Sequence, residues 1–204
     1  MKNLLKIGFL ASHRGSSMQA ILNAISNGSL EAKAAVVISN NTDSIALSVA
    51  RNQKIPAYHF SQQELGAAVD LDETILAALK DNDVNLIVLS GYLRKLGEKT
   101  LSFYEGRILN IHPSLLPKYG GQGMYGKRVH EAVIAAGDKI SGASIHLVED
   151  EYDTGRVIAR QTVQVIDEDT PTSLASRIEK IEPEFFVNTL QRIISGDITL
   201  SELR

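Results

Sequence analysis

The sequence predicts an α/β fold: an open, mainly parallel twisted sheet with helices on both faces, its last strands partly antiparallel. Three observations predict it. Through the first half, short aliphatic and β-branched runs alternate with segments carrying apolar residues at helical spacing. The strand-like runs there are apolar at nearly every position, as strands covered on both faces are. Nearer the C-terminus two runs, 143–148 and 156–165, instead alternate apolar with polar residues and read as paired strands.

Residues 4–11 form the first expected strand. Lys6 interrupts the apolar run and no convincing small-residue cleavage site follows, so the N-terminus reads as a strand rather than a leader. Met18, Ile21, Leu22 and Ile25 then mark an amphipathic helix closed by Gly28. Residues 34–39 are a second buried strand, 40–43 a turn and cap, and 45–50 the middle of a second helix. The run 55–60 contains Pro56, which cannot donate to a ladder, and belongs near a sheet edge. No regular element is assigned to 61–69. From Asp70 a helix carries Leu71, Ile75, Leu76 and Leu79, and 84–89 is the most apolar strand of the chain. A helix through 96–104 leads to the strand 108–112, which Pro113 and Pro117 end. Beyond a glycine-rich loop at 120–126 comes a helix with Val129, Ala132, Val133 and Ala136. Thr170 and Pro171 open a long last helix with Leu174, Ile178, Ile181 and Phe185 on one face.

The 204 residues suit a single domain, 1–204, with a substantial core. The net charge of −3 gives no global attraction to nucleic acid or to an anionic membrane, so any anion needs a local site. With no cysteine, thiolate nucleophiles, disulfides and Cys-ligated metals are excluded, a composition compatible with a cytoplasmic protein. The five histidines include no helical pair at metal-ligand spacing, and no metal is expected. His130 reads as a surface or loop-packing residue and His146 as a structural strand residue.

Two constellations carry chemistry. In Ser12-His13-Arg14-Gly15-Ser16-Ser17, Gly15, Ser16 and Ser17 stand where a helix N-terminus could take one phosphate; an ordinary serine cap is the competing explanation. Asn110 and His112 occupy alternate positions of one strand, so both project on one side, and Asp153 lies in a later turn. An amide can stabilise a developing oxyanion, an imidazole can donate or accept a proton, and a carboxylate can orient that imidazole. The trio suits acyl transfer to an amine. Ser114 lacks a nucleophile-elbow pattern, which favours direct transfer over an acyl-enzyme. A satisfied structural histidine and a plain Asp-Thr-Gly turn remain the alternatives.

With Asn110-Ile-His112-Pro-Ser-Leu-Leu-Pro and Asp153-Thr-Gly155, the sequence resembles the folate-dependent formyltransferases. The likeness extends to the run 15–21, to Ser90-Gly91-Tyr92-Leu93-Arg94, to the Gly-Met-Tyr-Gly run at 123–126 and to Glu182. It implies a Rossmann-like formyltransferase fold and transfer of formyl from 10-formyltetrahydrofolate to the amine of glycinamide ribonucleotide, in purine biosynthesis. Asn110, His112 and Asp153 would be catalytic, with His112 protonated. The substrate phosphate would lie on Gly15, Ser16 and Ser17 and the ribose near Glu179 and Glu182. Folate would meet Leu93, Arg94, Asn110, Asp150 and Asp153. Residues 1–105 would then be the ribonucleotide-binding half and 106–204 the catalytic and folate-binding half of a monomer or homodimer. Pro183 follows Glu182 and is expected to kink the last helix near the ribose.

Other formyl-group enzymes compete: a sugar-amine formyltransferase or a formyltetrahydrofolate hydrolase. The hydrolase is disfavoured because no regulatory domain is expected before the first strand, and formylation of tRNA because no basic domain is expected after the last helix. A non-catalytic phosphate-binding module is a third class, which the presence of Asn110, His112 and Asp153 argues against.

Overall fold

The computed structural model describes residues 4–200. Met1, Lys2 and Asn3, part of the segment weighed as a leader, lie outside the described residues. The elements run β1 (Leu5–Leu10), α1 (Ser16–Ser26), β2 (Ala32–Ser39), α2 (Ile45–Asn52), β3 (Ala57–His59), α3 (Gln62–Leu65), α4 (Leu71–Asp81), β4 (Leu86–Leu89), α5 (Glu98–Phe103), β5 (Ile108–His112), α6 (Lys127–Ala136), β6 (Ile140–Leu147), β7 (Val157–Gln164) and α7 (Pro171–Ser195). Every expected strand and helix is present. The additional element is α3, one short turn of helix capped by Ser61, too brief to leave a periodic signature.

The strands form one sheet in the order β3-β2-β1-β4-β5-β6-β7. The first five are parallel, and β6 and β7 run antiparallel. As its proline predicted, β3 is an edge strand. Side-chain alternation divides the sheet's apolar residues between two layers. Ile7, Phe9, Val88, Leu109 and Ile145 join Met18 and Ile21 of α1 and Leu174, Ile178, Phe186 and Leu190 of α7 on one face. Leu10, Ile38, Ile87, Leu89 and Ile108 pack on the other against Ile75, Leu76 and Leu79 of α4, with Tyr104 just beyond α5.

Helix α7 shows why packing outweighs propensity here. Thr170 and Ser173 form a reciprocal capping box, Pro171 fills the first turn, and the helix continues unbroken to Ser195 through Pro183. Pro183 lacks the N–H that would bond the Glu179 carbonyl. Fully buried side chains such as Phe186 and Leu190 contribute on the order of 2 kcal/mol each, enough together to offset one lost helical bond. Among the described residues no helix is long and apolar enough to cross a membrane.

Candidate active site

Leu109 and Ile111 point into the larger core layer, so Asn110 and His112 point to the opposite face of β5. In the antiparallel pair, Asn110 lies opposite His146 and His112 opposite Ser144, and opposed residues share a face. Four polar side chains from two strands therefore gather on one patch of sheet. The Ser144 hydroxyl donates to Ser114 O at 2.7 Å and accepts from Leu116 N–H at 3.0 Å, pinning the chain just after His112.

Because β6 is antiparallel, its carboxyl end lies beside the beginning of β5. The connection to β7 folds back over the polar patch and brings in Asp153, a residue in the left-handed region at φ 58. Asp153 Oδ2 is 3.4 Å from His112 Nδ1 and Oδ1 is 3.4 Å from His146 Nε2, while the Gly121 N–H donates to Oδ2 at 3.0 Å. One carboxylate thus bridges two imidazoles. The predicted trio is brought together, and the bridge comes over the sheet face as well as from the strand's carboxyl end.

His146, read from sequence as structural, belongs to this cluster. Its Nδ1 hydrogen goes to Leu147 O at 2.8 Å, and its Nε2 stands 3.1 Å from Asn110 Nδ2. It orients the Asn110 amide. His112 Nε2 donates to Tyr119 O at 2.8 Å. Burial is the main influence on His112 and lowers its pKa, against the opposing pull of Asp153 and the Tyr119 carbonyl. Burial thus favours the neutral ring, while Asp153 and the Tyr119 carbonyl favour the cation. Burial alone would raise the Asp153 carboxyl, but His146, His112 and the Gly121 N–H together hold it below its ordinary value. Ser114 is fully buried, and its hydroxyl donates to Lys118 O at 2.6 Å, which removes it as a nucleophile.

At the start of α1, Gly15 adopts φ 62 as the N-cap and makes no side-chain cap bond. The first helical bond is donated by Gln19 N to Gly15 O, so the Ser16 and Ser17 amides precede the helical ladder. Ser16 is exposed and Ser17 is buried. Ser90 Oγ accepts from Met18 N–H at 3.0 Å and Ser12 Oγ accepts from Leu93 N–H at 2.8 Å, which ties the ends of β1 and β4 together.

Leu93 and Arg94 are exposed on the loop after β4, and Asp150 is exposed on the loop that carries Asp153. Leu93 is 61% accessible. Glu182 is half-buried on α7, its pKa pushed up to about 7 by burial and then by the nearby Glu179 carboxylate. His130, read from sequence as a surface or loop-packing residue, is instead buried. It is 3% exposed with Nδ1 unpartnered, its pKa lowered by burial, and it lies within electrostatic reach of Glu179 and His112. Packing of α6 on α7 buries it. Among the described residues no group of three or more His, Cys, Asp or Glu is arranged to hold a metal ion.

Residues 5–190 match the family model described as formyl transferase. Among curated proteins, the chain is 35% identical to chloroplastic phosphoribosylglycinamide formyltransferase of Arabidopsis thaliana, over 97% of this chain and 68% of that protein. It is 34% identical to phosphoribosylglycinamide formyltransferase of Haemophilus influenzae, over 97% of this chain and 91% of that protein. The solved phosphoribosylglycinamide formyltransferase of Coxiella burnetii superposes with a TM-score of 0.86 at 35% identity, covering 98% of this chain and 92% of that one. A formyltetrahydrofolate deformylase from Pseudomonas syringae shares the fold, with a TM-score of 0.82 at 21% identity over 95% of this chain and 62% of that one.

Proposed function

The chain belongs to the formyl transferase family, and on that premise we propose that it transfers the formyl group of 10-formyltetrahydrofolate to the amine of glycinamide ribonucleotide, a step of purine biosynthesis. The observation that carries the reading is the Asp153 carboxylate held between His112 and His146 on the face that also presents Asn110. That cluster offers an oxyanion donor and a proton acceptor, with no side-chain nucleophile in contact, which suits direct attack by the substrate amine.

The folate co-substrate supplies an electrophilic formyl carbon bonded to a nitrogen leaving group. As the amine nitrogen bonds to that carbon, negative charge develops on the formyl oxygen. Asn110, oriented by His146, directs its remaining amide hydrogen toward that charge. The attacking nitrogen must shed a proton, and His112 Nδ1 accepts it through water, where Asp153 stabilises the resulting imidazolium. The proton then goes to the departing folate nitrogen as its bond to carbon breaks, so the site returns to its starting state. Gly15, Ser16 and Ser17 hold the phosphate, Glu179 and Glu182 meet the ribose, and Leu93, Arg94 and Asp150 flank the folate. The protein acts in the cytoplasm as a monomer or homodimer, with residues 1–105 mainly binding ribonucleotide and 106–204 mainly supplying catalysis and folate contacts.

The test is tetrahydrofolate release from 10-formyltetrahydrofolate, followed with and without glycinamide ribonucleotide. The reading requires release that depends on the ribonucleotide and saturates with it; release at the same rate without it would refute the reading.

A further inference from the structure

His112 is served by a turn whose anchor lies outside the motif. Tyr119 occupies the left-handed backbone region at φ 57, where residues with a Cβ are seldom found. In that conformation its carbonyl accepts the His112 Nε2 hydrogen at 2.8 Å. A carbonyl has no hydrogen to give, so its placement selects the Nε2–H form of the neutral ring. The Nδ1 lone pair is left toward Asp153.

The Tyr119 phenol donates to Asp138 Oδ2 at 3.0 Å, and its ring packs against the larger core layer. Asp138, one residue beyond the Gly137 cap of α6, also receives Lys118 Nζ at 2.9 and 3.2 Å. The rest of the turn is fitted equally closely. A Cβ on Gly120 would stand 2.5 Å from Leu116 Cδ2 and 3.1 Å from Asp153 Cβ. The next residue, Gly121, donates its N–H to Asp153. One short turn therefore touches both members of the His112–Asp153 pair.

We infer that Tyr119 and Asp138 are positioning residues for the transfer: their phenol–carboxylate bond holds the Tyr119 carbonyl where it fixes the His112 tautomer and keeps Nδ1 free to take the proton from the substrate amine. This rests on the proposed role of His112 as proton acceptor. Losing the phenol hydroxyl lets the turn relax toward ordinary backbone angles, and His112 then samples both neutral tautomers. Ground-state binding is little affected, because neither Tyr119 nor Asp138 is placed against substrate.

The test uses the full-length protein with 15N-labelled histidine, in wild-type, Tyr119→Phe and Asp138→Asn forms. Long-range proton–nitrogen correlation of the free protein, above the His112 titration, reads the tautomer without substrate or turnover. Wild type should show Nε2–H alone, and both variants a mixture. In parallel, kcat should fall about tenfold in both variants while KM for each substrate stays within about twofold. Pure Nε2–H in both variants would overturn the inference, whatever their activity. A mixture accompanied by unchanged kcat would overturn it as well. If wild type transfers no formyl group, the proposed function falls and with it the claim that the clamp serves transfer, while the spectra still decide whether the clamp sets the tautomer.

Discussion

Asn110 and His146 face one another across the β5–β6 pair, with Asn110 Nδ2 3.1 Å from His146 Nε2 and the opposite ring nitrogen bonded to Leu147 O. The ring is a fixed post between backbone and amide. Replacing it removes the restraint on Asn110 and one neighbour of Asp153. His146→Ala should therefore lower kcat by about 10²-fold through loss of an aimed oxyanion donor, with KM for the ribonucleotide little changed. Steady-state kinetics checks this; a variant with wild-type kcat would return His146 to a purely structural role.

Asp153 links charge to stability. Because the fold holds its carboxyl below the ordinary value, the ionised side chain stabilises the folded chain above about pH 4, and that contribution disappears as pH falls through the depressed value. Asp153→Asn lacks this dependence. Wild type should exceed the variant in Tm near neutrality, and the gap should close in acid. A gap of constant size from neutral to acid pH would contradict the account.

Glu182 has the opposite sign. Its pKa stands at about 7 in the fold against an ordinary 4.5, so the folded chain holds the proton more tightly than the unfolded chain does. Stability is lost as pH rises between those values and then levels off. Glu182→Gln should match wild type in Tm near pH 4 and exceed it near about pH 8, while binding ribonucleotide less tightly. Thermal denaturation at both pH values decides the first part and calorimetry the second. Equal Tm at both pH values would mean that Glu182 carries no such strain.

The phosphate reading predicts a large affinity difference. Glycinamide riboside, which lacks the phosphate, gives up the charge-assisted bonds offered by the amides of Ser16 and Ser17 at the start of α1. Its Kd should be weaker by about 10²-fold or more, corresponding to two hydrogen bonds to a charged group. Similar affinities for riboside and ribonucleotide would remove the phosphate from that loop.

Much of the fold was readable because strand and helix periods differ and each buried run is bounded by Gly, Pro or a cap. Asn110 and His112 were readable as a pair because one strand sets their alternation. His146 was not, because its partnership with Asn110 depends on the register of strands 36 positions apart in sequence, which only the folded sheet provides. His130 was misplaced because the apolar stripe of α6 does not reveal that α7 covers that flank. The positive φ of Tyr119 left no mark either, since a tyrosine signals no such conformation where a glycine would. The resemblance to a family supplied Glu182 and the folate loops, which no periodicity would have singled out.

The proposed chemistry is passage of a formyl group to the amine of glycinamide ribonucleotide. The most direct measurement supplies 10-formyltetrahydrofolate carrying a 13C-labelled formyl group to wild type and to His112→Ala, with the ribonucleotide, a sugar amine and water competing, and identifies the labelled products. Label should appear almost wholly in N-formylglycinamide ribonucleotide, formed roughly 10²- to 10⁴-fold more slowly by the variant. Label appearing chiefly as formate or on the sugar amine, or equal rates for the two proteins, would contradict it.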